Sequence, residues 1–160
     1  MKKNYTITIF AHNEPGVLYR IADLFLRRKI NIESLTVSEI ETEGISRFTI
    51  VVLAEFELVE KLVKQLYRII EITKVIDNVD EDLIIKEIAL FKVHARNLEN
   101  RKEIEQLSKL SKAKIIKVKK DYLVIEIYGA ERQTDDFYKL MKPFGIKEFV
   151  RSGRIALIDN

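Results

Sequence analysis

The run His12-Asn13-Glu14-Pro15-Gly16-Val17-Leu18-Tyr19-Arg20 carries the residue types best suited to holding a small charged molecule. It follows an alternating strand pattern, Tyr5-Thr6-Ile7-Thr8-Ile9, and opens an apolar helix. A helix start leaves backbone N–H groups without intrahelical acceptors, and the helix dipole favours an anion there, such as an amino-acid carboxylate. Asn13 offers an amide that either caps the helix or exchanges hydrogen bonds with a ligand. Pro15 suits the first helical turn, where its missing N–H costs nothing. Gly16 has no Cβ, so a ligand or another backbone can approach closely. On this reading the N–H groups of Gly16, Val17 and Leu18 point outward. The same run is also an ordinary turn and helix-start signal, so these residues alone leave both readings open.

Covalent and metal chemistry find little support elsewhere in the sequence. The chain has no cysteine, which excludes disulfides, thiolate metal sites and cysteine nucleophiles together. His12 and His94 are its only histidines, far apart, with no His-x-x-x-His pair or carboxylate cluster to complete a metal site. Glu103 with Glu105, and Asp135 with Asp136, have the spacing of a solvated helix face rather than of an acid–base pair. No P-loop, Gly-x-Ser-x-Gly, His-Glu-x-x-His or dinucleotide fingerprint is present, so the chain reads as non-catalytic.

Bulk composition is that of a folded globular protein, with 47% apolar residues and few prolines or glycines in 160 residues. No apolar run approaches the roughly 20 residues that span a bilayer, and the N-terminus has no signal-peptide h-region, so a cytoplasmic protein is expected. The net charge is +3, divided as −1 over residues 1–80 and +4 over residues 81–160. The excess centres on Lys112, Lys114, Lys117, Lys119 and Lys120, around an expected hairpin. Lysines there either guard a strand edge against unwanted pairing or form a phosphate-binding patch.

Hydrophobic periodicity orders the elements that must position these residues. Strands are expected at about 4–10, 31–40, 45–54 and 72–79, with helices at about 15–28 and 56–69. That order, β-α-β-β-α-β, reads as a ferredoxin-like split βαβ sandwich. The acidic segment Asp77-Asn78-Val79-Asp80-Glu81-Asp82 reads as a join, and the same order then recurs. Strands are expected at 84–95, 114–119, 122–128 and, interrupted at Gly153, 146–158, with helices around Ile104 to Leu110 and at 131–141. The fold class is therefore α+β, with two tandem ferredoxin-like domains, residues 1–80 and 81–160. Each sheet would have one helix-covered face and one open face, and burial of the latter predicts a dimer. Arg47, alternating with Phe48 and Ile50, is expected on that second face, either solvated or against a partner.

A second polar segment, Asn31-Ile32-Glu33-Ser34-Leu35-Thr36-Val37, lies just past the first helix. Asn31 is a possible helix C-cap, because Asn tolerates left-handed geometry. Together with Asn13–Arg20 and Ser46-Arg47-Phe48-Thr49-Ile50, this segment resembles the small, regulatory subunit of acetolactate synthase (acetohydroxyacid synthase). Arg151-Ser152-Gly153, with the apolar residues after it, is similar to that family's C-terminal signature. The resemblance covers essentially the whole chain. It implies an ACT domain at residues 1–80, pairing across a homodimer, and an ACT-like domain behind it. It further implies that a feedback inhibitor (valine, or leucine or isoleucine) binds at the dimer interface through Asn13, Gly16 and Asn31, with Val17 and Leu18 adding backbone contacts and apolar wall. The implied partner is the catalytic large subunit, which would carry the thiamine diphosphate, Mg²⁺ and FAD.

Two other readings remain at this level. A free-standing ACT-type amino-acid sensor acting on another enzyme or on transcription would share the ligand site without needing acetolactate synthase. RNA binding is the other, because ferredoxin-like sheets also carry RNA-recognition modules. Those modules need aromatic residues on the central strands, and Gly44–Val51 lacks that array.

Overall fold

The computed structural model describes residues 1–80 and 83–159. In the first repeat β1 (Lys3–His12) leads to α1 (Val17–Arg27), β2 (Ile32–Glu39), β3 (Ile45–Ala54), α2 (Phe56–Leu66) and β4 (Ile72–Val79). The strands form an antiparallel sheet in the order β2-β3-β1-β4. The second repeat has β5 (Leu83–His94), α3 (Leu98–Leu110), β6 (Lys114–Val118), β7 (Tyr122–Gly129), α4 (Glu131–Met141) and β8 (Ile146–Arg151), with a 3-10 turn at Lys142–Phe144 before β8. Its order, β6-β7-β5-β8, matches the first, and a final strand β9 (Ile155–Ile158) pairs with β5 outside that order. This is the expected α+β architecture of two ferredoxin-like βαββαβ repeats.

Strand alternation explains each core. In the first repeat Tyr5, Ile7, Ile9 and Ala11 of β1 and Phe48, Ile50, Val52 and Ala54 of β3 point to the helices. There they meet Val17, Ile21 and Phe25 of α1 and Val59, Leu62 and Leu66 of α2, which lie three or four residues apart on one helix face. The second core repeats the pattern with Ala89, Phe91, Val93, Leu123, Ile125, Ile104 and Phe137. Even the irregularities recur: the central strands slip register against their outer partners at Phe10/Ala11 and at Lys92/Val93. Just beyond, the His12 and His94 N–H groups donate to Glu71 O and Gly145 O at 2.9 and 3.0 Å.

The first helix of each repeat ends in the same way. Lys29 (φ 54°) and Lys112 (φ 57°) take the left-handed conformation just past the helix. The N–H groups of Lys29 and Ile30 close on Leu26 O and Phe25 O, and those of Lys112 and Ala113 on Lys109 O and Ser108 O. This pair of bonds is the Schellman ending. The left-handed residue after α1 is therefore Lys29 and not Asn31, because Ile30 must enter the core and that fixes which residue turns the chain.

The chain forms two compact units, Met1–Ile84 with Ile155–Asn160, and Ile85–Arg154. The acidic segment Asp77–Asp82 overlaps the strand expected at 72–79, and the structure gives its first three residues to the strand. Asp77, Asn78 and Val79 complete β4 opposite Ile7, Thr6 and Tyr5, while Glu81 and Asp82 lie outside the described residues. The expected single interrupted last strand is two strands, β8 and β9, with Gly153 at φ 77° between them.

The second sheet faces differ. In the first unit Thr6, Thr8, Thr49 and Val51 point away from the helices yet are buried, so this face is not open as the alternation alone suggested. Arg47, on the same face, donates to Ala156 O of β9 and lies over the Phe10 ring. Burial pulls its pKa below the ordinary arginine value, with Glu41 opposing the shift. In the second unit the corresponding face exposes Ile88, Leu90, Tyr128 and Val150.

Candidate effector site

The loop between β1 and α1 is a built turn. Glu14-Pro15-Gly16-Val17 closes through Val17 N–H to Glu14 O at 3.4 Å, with Gly16 at φ 88°, ψ −10°. Proline second and a left-handed glycine third define a type II turn. Pro15 thus sits before the helix and not in its first turn, and Gly16 is the N-cap residue. The Asn13 side chain makes no capping bond. Its backbone N–H donates instead to Gly44 O at 2.8 Å, tying the loop to the β2–β3 turn.

Of the three N–H groups expected to face outward, Val17's is therefore spent inside the turn, and its side chain is core. Those of Gly16 and Leu18 meet no acceptor among the described residues. Leu18 is half-exposed beside them, and Asn13 is exposed. The loop thus presents two free donors at the positive end of α1, an apolar side chain and a primary amide. That set matches the carboxylate, aliphatic group and ammonium of an amino acid.

Two residues that motif reasoning did not single out complete the surroundings. A Cβ placed on Gly16 would stand 3.3 Å from Nη1 of Arg20, so the guanidinium lies directly against this loop. Arg20 also pairs with Glu71, whose backbone carbonyl holds His12 N–H. A guanidinium has five N–H donors, so the pair with Glu71 leaves donors for an anion. Arg20 was part of the quoted run, but nothing in sequence spacing links it to Glu71.

Asn31 lies at the other end of α1, with its Nδ2 donating to Glu33 Oε1 at 2.9 Å. Eleven helical residues separate it from Gly16, about 16 Å of rise. A single chain therefore brings Asn13, Gly16 and Leu18 together and leaves Asn31 apart, beyond the span of one small amino acid.

The second repeat has no such loop. Its first helix is capped by Asn97, whose Oδ1 accepts from Asn100 N at 2.8 Å, so the helix start is satisfied internally. Among the described residues no group of three or more histidine or carboxylate side chains is placed to hold a metal ion. No helix there is long and apolar enough to cross a membrane.

Comparison with known proteins agrees with this two-part organisation. Residues 7–74 match the family described as the AHAS small subunit-like ACT domain, and residues 86–160 match the family described as the small subunit of acetolactate synthase. A probable acetolactate synthase small subunit of Archaeoglobus fulgidus is 42% identical over 154 residues, 96% of each chain. The acetolactate synthase small subunit of Bacillus subtilis is 40% identical, covering 98% of this chain and 90% of its own. The crystal structure of the Thermotoga maritima small subunit superposes with a TM-score of 0.90 at 35% identity, covering 99% of this chain and 98% of that one. The chain belongs to the acetolactate synthase small-subunit family.

The C-terminal segment that resembled the family signature is a structural clasp in this small-subunit fold. Arg151 bonds the buried Glu87 carboxylate through Nε at 3.2 Å and Nη2 at 2.5 Å, and Asp135 through Nη1 at 3.1 Å. Its pKa is raised, first by the hydrogen bond to Glu87, against the opposing effect of burial. Ser152 Oγ accepts from Ile88 N–H at 3.1 Å, and the fully buried Arg154 reaches Glu131 at 2.6 Å. These contacts fasten the strand ends of the second unit.

Proposed function

We propose that this chain is the regulatory subunit of acetolactate synthase, which activates the catalytic subunit and makes it sensitive to feedback by valine, or by leucine or isoleucine. The carrying observation is the β1–α1 loop, with free Gly16 and Leu18 N–H groups at a helix start, Asn13 exposed and Arg20 alongside. The amino-acid carboxylate would sit on those N–H groups, its ammonium on an Asn oxygen, and its side chain against Leu18. Because α1 separates Gly16 from Asn31, a site using both would take Asn31 from a second copy, which supports reading the effector site as one at a homodimer seam. Valine would then bind one state of the holoenzyme more tightly and shift its population, coupling effector and catalytic sites reciprocally. Thiamine diphosphate, Mg²⁺ and FAD are assigned to the catalytic partner, and this chain supplies no reacting group. The small-subunit names of its full-length relatives favour this reading over a free-standing sensor.

The experiment is reconstitution with the catalytic subunit from the same organism. Co-purification, a raised rate and valine inhibition are expected, with Asn13→Ala keeping the activation and losing most of the inhibition. A chain that alters neither the rate nor the valine response of that subunit refutes the proposal.

A further inference from the structure

The two repeats differ at one corner in a way that creates a second binding site. Lys29 and Lys112 hold the same position in matching Schellman endings, so Phe25 corresponds to Ser108 and Ile30 to Ala113. In the first repeat both large side chains are buried in the core. In the second, a hydroxyl and a methyl stand in their place, and a notch of about 570 Å³ opens between α3 and the edge strand β6. That volume is in the range of small-molecule sites.

The lining is chemically specific. Ser108 is 2% exposed, and its Oγ has no hydrogen-bond partner. A buried hydroxyl left unpaired is costly unless something satisfies it. Lys102, Lys109 and Lys114 line the notch, where the first repeat has Tyr19, Leu26 and Asn31. Among the described residues none of the three lysines is in an ion pair, and Glu105 is the one carboxylate in the lining. Ala113 and Ile115 supply an apolar wall.

We propose that this notch binds a small phosphate-bearing anion, with its phosphate oxygens on the three lysines and the Ser108 hydroxyl. Ammonium groups are compact point charges that suit phosphate oxygens, and a hydroxyl donates to the same acceptors. The apolar wall takes the uncharged remainder of the ligand. Lys114 and Lys117 also lie on an edge strand, where guarding against strand pairing would account for their charge. Edge protection explains neither the lost bulk at Ser108 and Ala113 nor the lysines on α3. Its lining shares no residue with the effector loop.

The test is calorimetric titration of inorganic pyrophosphate into the full chain at low salt. One saturable site per chain is expected. The combined variant Lys102→Gln, Lys109→Gln, Lys114→Gln should weaken binding at least tenfold. A control with the same charge loss, Lys61→Gln, Lys86→Gln, Lys142→Gln, should change it less than threefold. Ser108→Phe, which refills the notch as Phe25 does in the first repeat, should abolish binding, and if that variant fails to fold the lysine comparison decides alone. No saturable binding, or equal losses in the two lysine variants, overturns the proposal.

Discussion

At Arg20 one side chain serves structure and, on the proposed function, recognition. Its ion pair with Glu71 is partly exposed, and such pairs contribute about 0–1 kcal/mol to stability. A charge-assisted hydrogen bond to an effector carboxylate contributes roughly 1.5–3 kcal/mol, or about 10- to 100-fold in affinity. Arg20→Gln is therefore expected to leave the urea midpoint nearly unchanged while valine affinity, read by calorimetry, falls at least about tenfold. Unchanged affinity would show that Arg20 only braces the loop. This residue marks where sequence reading of the site stopped. Gly16 was legible because proline followed by glycine writes its own backbone geometry. Arg20 was not, because its place depends on Glu71, which chain folding brings alongside from 51 residues away. Of the two readings open for Asn13, the helix cap is excluded for a related reason: Asn13 is drawn to Gly44 by the hairpin turn, leaving Gly16 to begin the helix.

Elements are where periodicity read most directly. Alternation in β1 and β3 assigned the core faces that the structure shows, and the apolar spacing of α1 and α2 did so too except at Leu18, which the spacing puts on the core face and the structure leaves half-exposed. Helix ends were harder to read, since a lysine is not the residue expected to turn left-handed. Lys29 and Lys112 do so because the next residue, buried Ile30 in the first repeat and Ala113 packed against the core in the second, fixes where the following strand begins, and the Schellman bonds hold them there. The strain of a side chain in that conformation is about 1–2 kcal/mol, offset in part by the greater unfolded-state freedom of glycine. Lys29→Gly and Lys112→Gly are each expected to stabilise the chain by roughly 0.5–1 kcal/mol, measured as a higher urea midpoint at constant slope. A loss of stability in either would mean that the lysine side chain makes a compensating contact.

On the scale of the whole molecule, the proposed effector site predicts complementation between copies. A dimer in which each site takes Asn13 from one protomer and Asn31 from the other has no intact site in Asn13→Ala or in Asn31→Ala. Refolding the two variants together yields mixed dimers with one doubly altered and one unaltered site. Valine binding, absent in either variant alone, should return at one site per mixed dimer; no recovery would place both residues in one chain's site or outside it. The repeat was legible along the chain, but its closing strand was not, since β9 looks like a continuation of β8 until Gly153 and the buried Arg154 separate them. That return of Ile155–Asn160 to the first unit makes the second an insertion within the first rather than an appendage after it. A gene cut after Ile84 would therefore produce an incomplete first module, deprived of the carbonyl that Arg47 grips. An excised version would need the tail spliced back through a short linker in place of the intervening seventy residues, Ile85–Arg154.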